Sequence, residues 1–133
     1  MINTTLLTHS LEGLCGQTCI ALLTDTSIDE VVKRTKCGKG KMSGRKLFEA
    51  LDLYGIPHAE KMKYTRGATV ELPQCCILSE HGHFLLYNDG VCYDNIRGEF
   101  TEYDFSALVA YLEILLIKKI EYQHPDCSNR RNN

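Results

Sequence analysis

Apolar positions recur at helical spacing in the first half of the chain and form short, strand-like runs in the second. From Cys15 to Leu23 the pattern predicts a helix, with Cys19, Leu22 and Leu23 on one stripe, and Asp25-Thr26-Ser27 breaks it. Ser27-Ile28-Asp29-Glu30 reads as a capping box, in which the Ser side chain serves the Glu30 amide and the Glu carboxylate reaches back. It opens a short helix to about Arg34. Ser43 is placed as the N-cap of a third helix with Leu47, Ala50, Leu51 and Tyr54 as its stripe, and Gly55 as its stop. Residues 1–14 read as an irregular segment with a short turn, and Cys37-Gly38-Lys39-Gly40-Lys41 as a flexible basic loop.

Beyond Gly55 the period changes. Ile56-Pro57-His58-Ala59 begins the β part, and Val70 to Leu72 suggests a short edge strand closed by Pro73. Cys75 to Ser79, Phe84 to Asn88 and Val91 to Tyr93 read as strands, the last two joined by the tight-turn signal Asn88-Asp89-Gly90. A final helix is expected from Thr101 to Leu108. Leu112 to Tyr122 suits either a strand or a helix, and its Ile content favours strand. Helices first and antiparallel strands second is the α+β pattern, with the helices on one face of the sheet. Residues 1–123 are expected to form a single domain and residues 124–133 a disordered tail.

Composition narrows the function classes. The 133 residues suffice for one domain with a core, and 44% hydrophobic and 24% charged residues suit a soluble globular chain. A net charge of -2 gives no general electrostatic case for nucleic acid or an anionic membrane. Apolar runs such as Ile114 to Ile117 are far too short to span a bilayer, and the first residues carry no signal-peptide pattern, so a cytoplasmic location is expected. The local basic run Lys33, Arg34, Lys36, Lys39, Lys41, Arg45 and Lys46 is expected to be a solvated face, with an acidic partner as the alternative.

Seven cysteines cannot all pair, and a reducing compartment is the expectation. Cys75, Cys76 and Cys92 sit in strand-like context as small buried hydrophobes, whereas Cys127 lies in a polar tail as an exposed thiol. Cys15 is different. Gly13 and Gly16 flank it, and it would sit in a first helical turn, where orphan amides and the helix dipole favour a thiolate and could stabilise an oxyanion. His83 precedes an apolar strand, with His81 two residues earlier. The return strand across the tight turn delivers Asp94 or Asn95 beside it, as a base with an orienting partner requires. The plainer reading makes Cys15 and Cys19 two buried thiols on one helical face and the histidines polar strand ends. A zinc site built from Cys15, Cys19, Cys37, Cys75, Cys76, His81 and His83 is the rival constellation, but no Cys-x-x-Cys pair is present and no common zinc spacing is matched.

These segments resemble the papain-like cysteine peptidases and, more closely, the bacteriocin-processing peptidases that cleave leader peptides after a Gly-Gly pair. Cys15-Gly16-Gln17-Thr18-Cys19-Ile20-Ala21 is similar to that family's nucleophile motif, and Ser43 to Gly55 to the helix before its leucine-glycine turn. Leu72-Pro73-Gln74-Cys75-Cys76-Ile77-Leu78 is similar to its buried strand, and His83-Phe84-Leu85-Leu86 with Tyr93-Asp94-Asn95 to its His strand and Asp-Pro partner. The resemblance covers residues 6–120. His9 stands six residues before Cys15, where the family has an oxyanion-hole Gln, and Asn95 stands where it has Pro. The family's transporter domains are not in these 133 residues.

The resemblance implies a papain-like fold with Cys15 as nucleophile, His83 as general base and acid, and Asp94 orienting the imidazole. The Cys15 backbone amide, helped by His9, would form the oxyanion hole. The expected function is a standalone thiol peptidase acting on a peptide or protein substrate through a thioacyl intermediate, with no cofactor and no metal. A deamidase, an acyltransferase or a non-catalytic binding module on the same fold are the alternatives.

Overall fold

The computed structural model describes residues 2–9, 13–36 and 41–115. Three α-helices precede six strands among these residues. A 3₁₀ turn over Thr4–His9 leads to α1 (Cys15–Thr24), α2 (Ile28–Thr35) and α3 (Gly44–Leu53). The strands are β1 (Lys63–Tyr64), β2 (Cys75–Glu80), β3 (His83–Asn88), β4 (Val91–Asp94), β5 (Gly98–Phe100) and β6 (Ala110–Glu113). They form one antiparallel sheet in the order β1-β6-β2-β3-β4-β5. The chain is therefore α+β.

The local signals set the helix limits. Ser27 accepts from the Glu30 amide and Ser43 from the Lys46 amide, each at 3.1 Å, satisfying an orphan donor of each first turn. Glu30 makes no reciprocal bond to Ser27, so only half of the expected capping box forms. Gly55 takes φ 69° after α3, and the Ile56 amide reaches back to the Leu51 carbonyl at 2.9 Å. Asp89 and Gly90, at φ 53° and 88°, make the tight turn between β3 and β4.

Strand alternation gives the sheet two buried faces. Cys75, Ile77, Phe84, Leu86, Tyr93 and Leu112 pack with the three helices, and α1 is buried along its length from Cys15 to Leu22. On the opposite side Cys76, Leu78, Leu85 and Cys92 lie under Leu108, Tyr103 and Phe105. The expectation of helices on one face holds, and the other face is roofed by the segment that returns from β5 to β6.

That roof corrects two expectations. Thr101 to Leu108 is not a helix: only Phe105–Ala107 forms a 3₁₀ turn, opened by Asp104, whose carboxylate accepts from the Ser106 amide at 3.0 Å. Phe105 and Leu108 reach the second core from this turn and the extended residues after it, so their three-residue spacing does not need an α-helix. Val70 to Leu72 is not a strand. The edge position goes to Lys63–Tyr64, which pair with Tyr111 and Ala110. The strand expected from Leu112 begins earlier, at Ala110, and its continuation past residue 115 lies outside the described residues, as do the tail from His124 and most of the 37–41 loop.

Candidate active site

Cys15 is the first residue of α1. No side chain caps this helix and its first turn carries no acidic residue, so its positive end is not neutralised there. Gly16 allows a close approach from the segment before α3, because a Cβ at this position would stand 2.9 Å from both Cβ and Sδ of Met42. Cys15 is 4% exposed. His83 and the backbone amides of Phe84 and Gly16 are placed to favour its thiolate.

His83 is the first residue of β3, and its Nε2 lies 3.0 Å from each Asp94 carboxylate oxygen. With Nε2 committed to Asp94, Nδ1 is the ring nitrogen left for Cys15. Asp94 ends β4 one residue past Tyr93, whose partner on β3 is Leu86, so it falls on the Leu85 side of the sheet, diagonal to His83. The structure thus brings Cys15, His83 and Asp94 together from α1, β3 and β4.

Burial and bonding act oppositely on these groups. For Cys15, burial pushes the thiol up, but the His83 hydrogen bond, the Phe84 amide and the His83 charge together bring it below an ordinary thiol. For Asp94, burial also pushes up, and the His83, Ile96 and Arg97 donors outweigh it, holding the carboxyl at about 2. His83 is raised to about 9, first by its bond to Asp94 and then by that to Cys15, against burial. The shifts of Cys15 and His83 both move the proton from sulfur to imidazole, so the pair favours thiolate and imidazolium.

Cys19, one turn deeper, is pushed well above an ordinary thiol by burial and by the neighbouring Cys15 and Asp94 charges, which its own backbone amide does not offset. Burial raises Cys75 to about 12 and Cys92 to about 11, and pushes Cys76 up as well. All five described cysteines are free and buried, and Cys15 alone among them is lowered. Among the described residues no three His, Cys, Asp or Glu side chains gather as a metal ion would need.

Other expected site residues fall differently. His81, two residues before His83, lies exposed in the β2–β3 turn and outside either strand. His9 ends the 3₁₀ turn Thr4–His9, which packs against α1, β4 and β5, but its side chain lies outside the described residues. A cleft of about 320 Å3 opens beside His83, between the 41–44 segment and the ends of β2 and β3.

The sequence reading missed three neighbours. Arg97 donates to Asp94 Oδ2 from Nε at 2.7 Å and from Nη2 at 2.6 Å. The same Nη2 reaches Glu80 Oε1 at 3.0 Å, and Tyr103 donates to Glu80 Oε2 at 2.7 Å. Their only sequence signal is the cross-strand position of Glu80 opposite His83 and the three-residue step from Asp94 to Arg97, both of which need the register.

No helix among the described residues is long and apolar enough to cross a membrane. Neither the protein-family models, nor the curated proteins, nor the solved structures compared with this chain give a match.

Proposed function

We propose that this protein is a cysteine-dependent hydrolase of amide or peptide bonds with a papain-like architecture. The observation that carries the reading is a lowered Cys15 thiol at a helix start, bonded to a His83 that Asp94 holds from its far side. A reactive cysteine needs donors that favour its thiolate, and an imidazole needs an acceptor that fixes its tautomer; both are present in one cluster.

In the proposed reaction the Cys15 thiolate attacks the carbonyl carbon of the bound amide. The developing oxyanion takes a hydrogen bond from the Cys15 backbone amide. The imidazolium of His83 gives its Nδ1 proton to the leaving nitrogen as the C–N bond breaks, leaving a thioester on Cys15. Water then attacks the thioester while His83 takes its proton; the C–S bond breaks, the acid product leaves and the thiolate–imidazolium pair returns. Asp94 remains ionised throughout, since its held-down carboxyl is a poor proton acceptor. The cleft beside His83 suits the leaving-group side, because the proton donor must face that nitrogen.

The test is a peptide library digested from whole-cell protein, incubated with the purified protein and read by mass spectrometry for new chain ends. The proposal expects new ends with the native protein and none with Cys15→Ala. No new ends, or the same ends with Cys15→Ala, would overturn it.

A further inference from the structure

We propose that Arg97 and Glu80 are positioning residues for the Cys15–His83–Asp94 cluster: Arg97 clamps the Asp94 carboxylate, and Glu80 balances the Arg97 charge so that Asp94 still serves His83. This inference rests on the reading of Cys15 and His83 as the reacting pair.

Asp94 is 0% exposed, so its oxygens depend on protein donors. The Ile96 amide reaches Oδ1 at 2.8 Å, the Arg97 guanidinium holds Oδ2 through two nitrogens, and His83 bridges both oxygens. Two backbone amides on Oδ1, Ile96 at 2.8 Å and Arg97 at 3.4 Å, and a guanidinium fork on Oδ2 fix the carboxylate plane, and that plane decides where the His83 ring points. Arg97 is fixed in turn by Glu80 and by its stacking on Phe100, with 5.2 Å from the guanidinium carbon to the ring centre. Glu80 is held by Tyr103.

The arrangement closes a ring at one end of the sheet. Glu80, the last residue of β2, stands directly opposite His83, the first of β3. Asp94 ends β4 and Arg97 lies in the turn to β5. The charged bridge from Glu80 through Arg97 to Asp94 therefore ties β2 to β4 across the strand that carries the imidazole.

The charges make the claim specific. His83 faces Cys15 from α1, Glu80 from β2, Asp94 from β4, Arg97 from the β4–β5 turn and Lys41 across the cleft. Asp94, Glu80 and Arg97 together carry one net negative charge, matching one imidazolium. Removing the Glu80 charge leaves that group neutral and weakens the hold on the imidazole proton. Removing Arg97 frees the Asp94 carboxylate to turn.

The test follows the His83 ring by NMR over pH, its signals assigned with His83→Gln, and in parallel the rate of Cys15 alkylation by iodoacetamide at pH 6. Glu80→Gln keeps an oxygen for Arg97 and an amide for Tyr103, so it removes charge with little change of shape. Its His83 midpoint is expected to fall by roughly half a unit or more from the native value. Arg97→Gln is expected to slow Cys15 alkylation at least about threefold, and Arg97→Lys, which keeps charge and one donor, to recover about half of that loss. A scaffold role alone would lower melting temperature in these variants without moving the His83 midpoint. The proposal is overturned if Glu80→Gln titrates His83 as the native protein does, or if Arg97→Gln alkylates at the native rate. Should Arg97→Gln not fold, the Glu80→Gln titration decides. That titration needs no substrate, so it is separable from failure of the hydrolase reading.

Discussion

The described residues contain two histidine–carboxylate pairs, and one of the two meets a thiol. His58 Nε2 lies 2.8 Å from Asp52 Oδ1, and His83 Nε2 lies 3.0 Å from Asp94. The first pair joins the end of α3 to the strand region: its other ring nitrogen is spent on the Ala59 carbonyl at 2.7 Å, its ring meets Phe48 edge-on, and Asp52 is 72% exposed. The second has a fully buried carboxylate and a ring nitrogen left for Cys15. A His–Asp contact is thus no evidence of chemistry by itself. What separates the two is where the second nitrogen goes and how many donors fix the acid.

The largest effects should come from breaking the buried pair. Asp94→Asn removes the acceptor that fixes the imidazole and leaves the His83 imidazolium without its buried counter-charge, while Arg97 and Glu80 remain paired with each other. Peptide cleavage is expected to fall by about a hundredfold or more, measured as turnover at neutral pH. Stability should drop by roughly 3 kcal/mol in a denaturant titration, the scale for removing one partner of a buried ion pair.

The acid limb sharpens the same contrast. Asp94 is held at about 2 in the folded state and titrates near 3.9 when unfolded. The unfolded chain binds more protons over that interval, so the Asp94 contribution is full above about pH 4 and is lost as pH falls towards 2. Asp94→Asn should flatten the stability profile there.

Gly16→Ala separates helix propensity from packing. Alanine favours a helix over glycine by about 1 kcal/mol. The added Cβ would stand 2.9 Å from the buried Met42, and such overpacking costs about 1–3 kcal/mol. The clash should win, with a net loss of about 1 kcal/mol in a thermal or chemical melt. The smallest effect belongs to the exposed pair: Asp52→Asn should change stability by less than about 1 kcal/mol and leave Cys15 alkylation at the native rate.

Much of this was legible along the chain. The limits of α1, α2 and α3 and the Asp89-Gly90 turn follow from local signals, caps and glycine stops, and the hairpin sets Asp94 near His83; that Cys15 comes to the same place depends on the packing of α1 on β3, which no local signal carries. The misses share one cause, dependence on distant partners. Lys63–Tyr64 are polar and short, and are a strand only because β6 lies beside them. Residues 98–100 pair with β4 after a three-residue turn that Asp94 itself braces through the Ile96 amide. The Arg97–Glu80–Tyr103 chain needs the register of β2 on β3 and the path of the returning segment before its members become neighbours. The contrast between Cys15 and Cys19 was also visible in part, since a thiol at a helix start meets amides that a thiol one turn later does not.

The central claim is that Cys15 is a thiolate held by His83. The direct measurement is site-resolved iodoacetamide labelling at pH 6, read by mass spectrometry on the native protein and on His83→Ala. An ordinary thiol is only about 0.3% ionised at that pH. Cys15 is predicted to react at least about tenfold faster than Cys127 in the native protein, and to lose that advantage in His83→Ala. A Cys15 that reacts no faster than Cys127, or at the same rate with and without His83, would contradict the account.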